Sequence, residues 1–557
     1  MTAAGRSGRS SGSSAWRFVG ASLPFLALAL LARAPDLFYH YRDWDEAAMM
    51  AQAWAMTRGQ VLYRDVFQIH PPLNMLYFVP FFWTLEPGAA PHAIKAANTV
   101  LIALSAATVF RFCAAWLQDR LVAIAVATSF IFMTSHRFHW SQSAHGEFLT
   151  ILPLVASVYL LFVGAPTRSR AVAAGALWGT AFWIKQSALV DCLFLLVVLS
   201  LAGRRDRALL LRRVAMIGVG FTAVTATILV WLAAQGAVAQ AMQSLFVTTM
   251  GHYVGGSQEP WSGEPFQALG TRLPGFCITA TLGLVAIATA PRIAARTKSL
   301  VGASAAWVLT VLCMLSLAGR FYSHYLTQTL APLALAAIAP LGILWQWIRR
   351  PAAVLLTLAL TVSMARYTSF ALRDLALHNW EPQPVREAHL IANFLRANTR
   401  PGDRIFMYRI IHLDVFYLAE RLSSNGVYMY VDMAVEHMHD PALAQRMTAA
   451  LLRCPPAAIV TSRTLWYGYD SIDQFLWPWL EREYRRVTSF NGIGDYRDAS
   501  SVGEVEIYLR RADAPAAPCE TDPSASRYPT LTGGRSPGSA RVVSRADAAV
   551  KTSSRLA

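Results

Sequence analysis

Charge is scarce in this chain. Of 557 residues only 15% are Asp, Glu, Lys or Arg, whereas 55% are hydrophobic and the mean hydropathy is +0.36. Soluble globular proteins carry about 25% charged residues, so an ordinary water-soluble domain is excluded and a polytopic membrane protein is expected. Acidic residues are scarcer than basic ones, 33 against 49, which leaves a net charge of +16. A nucleic-acid binder would gather that excess on one solvent face, but here it punctuates apolar runs, so nucleic acid is not an expected partner. Cysteine is sparse too: there are six, without any CxxC, and Cys113, Cys192, Cys277 and Cys313 lie inside apolar segments, where a small buried hydrophobe is the simplest reading. Neither a disulfide framework nor a zinc knuckle is expected. The GxxxxGK[ST] and Rossmann glycine patterns are missing, which argues against a soluble nucleotide substrate, and no repeat of solenoid period is present.

What the chain does have is a recurring pair of marks: apolar runs of about 17–20 residues and arginine-rich flanks, the signature of spanning helices and their cytoplasmic ends. The clearest flanks are RRDRALLLRR (Arg204, Arg205, Arg207, Arg212, Arg213), PRIAARTK (Arg292, Arg296, Lys298) and WQWIRR (Arg349, Arg350). Weaker ones are Arg111 to Arg120, Arg168 to Arg170 and the N-terminal Arg6, Arg9 and Arg17. Placing all of them inside gives spans near 17–34, 93–116, 120–135, 148–164, 171–185, 187–203, 213–234, 274–291, 299–318, 326–346 and 351–367, about eleven helices. The N-terminus, 1–16, is then cytoplasmic and the C-terminus lies outside. An A-x-A pattern at Ala32-Arg33-Ala34 also permits signal-peptide cleavage without altering the rest.

The apolar stretch Pro72 to Leu85 does not fit as a span, because it would invert every later loop. It is expected to dip into, or lie along, the outer membrane surface, with Asp45 to Arg58 as an amphipathic interfacial helix. The loop 35–92 then forms a structured external platform. After about residue 368 the sequence becomes mixed and polar. A helix over Glu387 to Asn398 and strands at Arg404 to Tyr408, Ala457 to Thr461 and Glu504 to Leu509 predict a small extracytoplasmic α/β domain over 368–511. The tail, 512–557, is rich in Ala, Ser, Pro, Gly and Arg and reads as disordered. The expected fold is thus an all-α polytopic membrane domain, 17–367, followed by that α/β domain.

With topology fixed by arginines alone, five polar clusters all fall outside: Asp43-Trp44-Asp45-Glu46, His70-Pro71-Pro72, His145-Gly146-Glu147, Lys185-Gln186, and Arg320-Phe321-Tyr322-Ser323-His324-Tyr325. Each has an ordinary reading alone. The acids can cap helices, the prolines can open one, and lysine and arginine can snorkel to headgroups. Ionisable groups at membrane depth are expensive, however, and convergence of five clusters on one leaflet points to a site. A carboxylate can act as general base to a hydroxyl, while Lys, Arg and His hold phosphate by charge-assisted bonds, so a lipid phosphate at headgroup depth is the expected ligand. A metal held by Asp43, Asp45, His145 and Glu147 is conceivable but matches no ligand spacing, and a divalent cation is left unassigned.

The ordered set DWDE, RGQVLYRDVFQIHPPLNML, SAHGE, ALWGTAFWIKQSALV and GRFYSHYLTQTLAPLALAA, over roughly residues 17 to 345, resembles the GT-C membrane glycosyltransferases, in particular the family 39, protein-mannosyltransferase-like group. Asp45, Glu46, His70, Pro71 and Pro72 match that group's Asp-Glu pair and the motif that follows it. The resemblance implies inverting transfer of a sugar from a polyprenyl-phosphate donor to an acceptor hydroxyl of a glycan, lipid or protein, at the external face of the plasma (inner) membrane. Asp45 would be the base and Glu46 would orient substrate. Lys185, Arg320, His324 and His70 would contact the donor phosphate, and Asp43, His145, Glu147 and Tyr325 would line the substrate site. The chain departs from the aminoarabinose-transferase branch in having His70 rather than Lys before the prolines, and from the protein-mannosyltransferase branch in having Asn74 and Met75 where that branch has Gly-Lys. The competing reading is a non-catalytic carrier or transporter of lipid-linked saccharides, which more often shows broken helices and midplane polar groups in paired halves.

Overall fold

The computed structural model describes residues 12–41, 43–135, 143–249, 263–289, 295–317, 321–338, 372–373, 375–377, 382–410, 412–428, 441–463, 470–494 and 502–514. Helices occupy the expected spans from the first through 299–318, beginning with Gly12–Arg33 and Ala90–Leu117 and ending with Pro274–Thr289 and Ala295–Leu317. The start of 326–346 is a 3-10 helix, Ser323–Thr329, that continues as Leu330–Ile338, and 351–367 lies outside the described residues. Among the described residues three helices are long and apolar enough to cross a membrane: Ala90–Leu117, Arg207–Ala234 and Thr297–Leu317.

Local sequence explains where helices start. Asp119 and Asp206 stand at N-caps, where their carboxylates accept the otherwise orphaned amides of Leu121, Val122 and Leu209 at 2.9–3.1 Å. Small residues then set how closely helices approach. A Cβ added to Gly175 would lie 1.9 Å from the Ile217 carbonyl oxygen, and one added to Gly220 would lie 2.0 Å from that of Val172. Helices Arg168–Ile184 and Arg207–Ala234 therefore meet backbone to backbone, the packing that membrane helices favour. The outer face of Arg207–Ala234 presents Leu211, Val219 and Val230 outward, an apolar surface suited to lipid tails.

The segment 72–85 is broken. Pro72 opens one short helix, Pro72–Leu76, and Pro80 sits in the first turn of another, Val79–Thr84, so neither is long enough to span. The helix Trp44–Thr57 corrects the expectation of an interfacial surface helix, because Glu46 through Ala55 are all buried. Its run of Ala and Met lets neighbours close in around it, and the C-terminal domain packs against it through Val415–Ala419.

That domain contains a five-stranded sheet in the order β2-β1-β3-β5-β4. The strands are β1 Arg404–Tyr408, β2 Leu422–Ser423, β3 Ala458–Thr461, β4 Tyr484–Gly494 and β5 Val502–Arg510. β2, β1 and β3 run parallel, with Ile405 opposite Ala458; β5 is antiparallel to β3 and β4. The domain is seated on the 35–92 loop. The Phe67 amide donates to the Gly426 carbonyl at 3.0 Å, the Tyr428 hydroxyl donates to Gln60 Oε1 at 2.6 Å, and His40 pairs with Asp414 at 3.0 Å. Loop and domain therefore share one side of the helical bundle. Cys113, Cys192, Cys277 and Cys313 are free thiols, whereas Cys454 is disulfide-bonded, a bridge that the expectation of no disulfide framework did not include. That expectation weighed motif spacing and apolar context, and Cys454 lies in neither. The tail beyond Ala514 falls outside the described residues.

Candidate active site at the mouth of the bundle

Four distant parts of the chain converge here: the start of the Trp44–Thr57 helix, the turn Gly146–Leu149, the end of the Arg168–Ile184 helix and the 3-10 helix Ser323–Thr329. Asp43 is the N-cap of the first, accepting the Asp45 amide at 3.2 Å through Oδ1. Its other oxygen, Oδ2, lies 3.0 Å from Nε2 of His145, and both side chains are buried. The imidazoles of His145 and His324 stack face to face, 4.2 Å between centroids and 4° from parallel, with Tyr325 edge-on to His324 at 4.6 Å. Asp45 is partly exposed.

Glu147 and Lys185 form a buried ion pair at 2.9 Å, and the ammonium also lies 5.2 Å from the centre of the Tyr325 ring. Gly146 makes room for this arrangement. A Cβ there would stand 3.0 Å from Lys185 Cδ, 3.2 Å from its Cβ and 3.3 Å from Asn74 Nδ2. Glu46 turns the other way. It pairs with Lys95 of the Ala90–Leu117 helix and accepts the Ala144 amide at 2.9 Å, with both members of the ion pair fully buried.

Charge in the cluster follows from these contacts. Burial opposes ionisation of both Asp43 and His145, but their mutual attraction and hydrogen bond outweigh it. Asp43 is held below the usual carboxylate range, with His324 adding to the effect, and His145 is raised to about 9, helped by Asp45 and Glu147. His70 behaves oppositely: burial, then the Lys185 charge, lowers it well below an ordinary histidine, so it stands neutral at pH 7.

The structure thus gathers Asp43, Asp45, His145, Glu147, Lys185, His324 and Tyr325, places neutral His70 within their electrostatic reach, and directs Glu46 into a structural pair. Arg320 lies outside the described residues. Two residues were missed from sequence. Lys95 carried a signal, as a lysine near the start of a long apolar run. Asn74, fully buried against Gly146 and Lys185 with neither amide atom hydrogen-bonded among the described residues, carried none beyond its place after the two prolines.

The chain is thus an apolar helical bundle with a buried polar cluster at one end and a small mixed sheet packed against the loop beside it. No family model matches the chain, and no curated protein matches it in sequence. Among solved structures it is similar in fold to ArnT from Cupriavidus metallidurans. Against ArnT bound to undecaprenyl phosphate the identity is 13% over 91% of this chain and 100% of that chain, with a TM-score of 0.54. Against the apo state the identity is 14% over 89% and 98% of the two chains, with a TM-score of 0.57. At such identity the likeness is one of fold.

Proposed function

We propose that the chain is an inverting membrane glycosyltransferase of the family 39, protein-mannosyltransferase-like group, which transfers a sugar from a polyprenyl-phosphate donor to an acceptor hydroxyl on the external face. The observation that carries this reading is the polar cluster itself, in which a partly exposed carboxylate, Asp45, acts on the buried cationic His145, with the buried Lys185–Glu147 pair in the same cluster. Similarity in fold to a protein solved with undecaprenyl phosphate supports the lipid-phosphate donor. The Cys454 disulfide supports an oxidising, external setting for the C-terminal domain and for the loop it touches.

In this reading the acceptor hydroxyl attacks the anomeric carbon as Asp45 takes its proton, and the bond from that carbon to the phosphate oxygen breaks. The departing phosphate gains negative charge, which His145 and Lys185 stabilise, with Arg320 and His324 as further contacts. Asp43 keeps His145 charged and Glu147 keeps the Lys185 ammonium in place. Glu46 acts through structure: its pair with Lys95 and its bond to Ala144 fix the loop that carries Asp45 against the segment that carries His145. His70, being neutral, offers a hydrogen bond rather than a charge.

The experiment is transfer of labelled sugar from defined polyprenyl-phosphate donors by detergent-purified protein to a panel of glycan, lipid and protein acceptors. Formation of a glycosylated product with inverted anomeric configuration supports the reading. Donor binding without transfer to any acceptor, together with movement of donor across vesicles, would favour the carrier.

A further inference from the structure

We propose that the cleft between the end of the Trp44–Thr57 helix and the C-terminal domain binds an uncharged oligosaccharide, the acceptor glycan of the transfer. The cleft is open and holds about 460 Å³, within the range of small-molecule sites, which favour junctions between parts of a fold. Arg58 and Trp54 line it from the loop; Arg396, Asp403, Glu420 and Arg421 line it from the domain. The Arg58 guanidinium lies 3.3 Å from Glu420 Oε2 and 5.6 Å from the centre of the Trp54 ring, so one side chain joins the two walls. Arg421 is held by its own domain, donating to Thr399 Oγ1 and to the carbonyls of Thr399, Ala419 and Glu420 at 2.8–3.2 Å.

The charges of the wall decide the ligand. Of its three guanidiniums Arg421 is turned onto carbonyls, and the other two are matched by the carboxylates of Asp403 and Glu420. A strong anion would meet both carboxylates, whereas a hydroxyl donates to a carboxylate and accepts from a guanidinium at once. Saccharide hydroxyls suit such a mixed wall, and Pro401 and Leu422 add apolar surface for the C–H faces of sugar rings. Glu420 ends the Val415–Ala419 helix at φ +55°, a left-handed conformation that glycine takes at lower cost. Its pair with Arg58 is about half exposed on both sides, and such pairs add little stability. Folding alone would favour glycine there; recognition accounts for the carboxylate. Asp45 stands in the first turn of the Trp44–Thr57 helix and Arg58 just past its last residue, so at about 1.5 Å per residue the two lie about 20 Å apart along the axis. A monosaccharide in the cleft cannot reach the base; an oligosaccharide can.

Calling the glycan an acceptor rests on the transferase reading, whereas its binding does not, so the two can fail separately. Full-length protein in detergent is titrated calorimetrically with neutral mannose-, glucose- and galactose-based saccharides, from monosaccharide to octasaccharide, and with an oligogalacturonate and a Ser/Thr-rich peptide. We expect one neutral series to bind, more tightly with length, and the oligogalacturonate and the peptide to bind no better than the monosaccharide. Glu420→Gly should weaken binding at least tenfold while its melting temperature holds or rises. Arg396→Ala, at an exposed position of the Gln383–Asn398 helix, should weaken binding as much with an unchanged melting temperature. In transfer assays both variants should act through KM for the long saccharide rather than through kcat. Melting profiles identify any variant that fails to fold, and the other variant then carries the test. Absence of binding in every neutral series, tighter binding of the oligogalacturonate or the peptide, or parent-like affinity in a folded variant overturns the proposal. Saccharide binding without transfer to the bound saccharide overturns the transferase reading instead, and transfer with parent-like KM in both variants does the reverse.

Discussion

Replacing Lys95 by Met tests the division of labour between Glu46 and Asp45. Lys95 and Glu46 are both fully buried and paired, across 49 residues of sequence. Removing the ammonium strands a carboxylate in a low-dielectric interior, which costs about 3–5 kcal/mol, or roughly 100- to 4,000-fold in the folding equilibrium. Glu46→Leu strands the ammonium instead and should cost a similar amount. The double variant, Glu46→Leu with Lys95→Met, removes both charges while keeping apolar volume, and should return to within about 1–2 kcal/mol of the parent or exceed it. The assay is unfolding of detergent-purified protein followed by tryptophan fluorescence, arranged as a double-mutant cycle. Single costs under about 1 kcal/mol that simply add would refute the reasoning. If the double variant regains stability and transfers sugar, Glu46 is structural; if it regains stability and transfers nothing, Glu46 takes part in the chemistry.

The remaining predictions concern spacing and pH. Gly146→Ala sets a methyl 3.0–3.2 Å from Lys185, so it should loosen the Lys185–Glu147 pair and lower kcat with little change in melting temperature. Gly175→Val places side-chain atoms into the Ile217 carbonyl and should abolish recovery of folded protein, whereas Gly218→Ala, with nothing within 4 Å of its new methyl, should express normally. His145, raised to about 9 from 6.5, contributes stability that is complete below about 6.5 and is lost as pH rises through about 9, while lowered Asp43 contributes stability present above 3.8 and lost as pH falls through its own value. Melting temperature should therefore decline from pH 6.5 to 9 in the parent, and His145→Gln should flatten that decline.

Elements governed by local rules were legible in the sequence. β1 occupies the expected Arg404–Tyr408, β3 and β5 fall within a residue or two of expectation, and among the described residues the apolar runs from 17–34 through 299–318 are helical. The convergence of Asp43, His145, Glu147, Lys185 and His324 was legible because buried charge is expensive enough to be rare in so apolar a chain. What depended on tertiary contact was not. β4 begins at Tyr484, directly after the helix ending at Glu483, and its Tyr-Arg-Arg-Val-Thr-Ser-Phe lacks clean alternation; pairing with β5 makes it a strand. The Trp44–Thr57 helix reads as a surface helix until the C-terminal domain covers it. Glu46 and Lys95 gave no sign of each other, since nothing in sequence couples residues that far apart.

The central claim, that the partly exposed Asp45 carboxylate activates an acceptor hydroxyl, is tested most directly by Asp45→Asn. Single-turnover transfer from a bound polyprenyl-phosphate sugar should fall by about two orders of magnitude or more, because positioned general bases contribute that much, while donor binding and melting temperature stay near those of the parent. Near-normal transfer by Asp45→Asn, alongside abolition by Glu46→Gln or Glu147→Gln, would contradict the assignment of the base; near-normal transfer in all three would contradict carboxylate catalysis at this site.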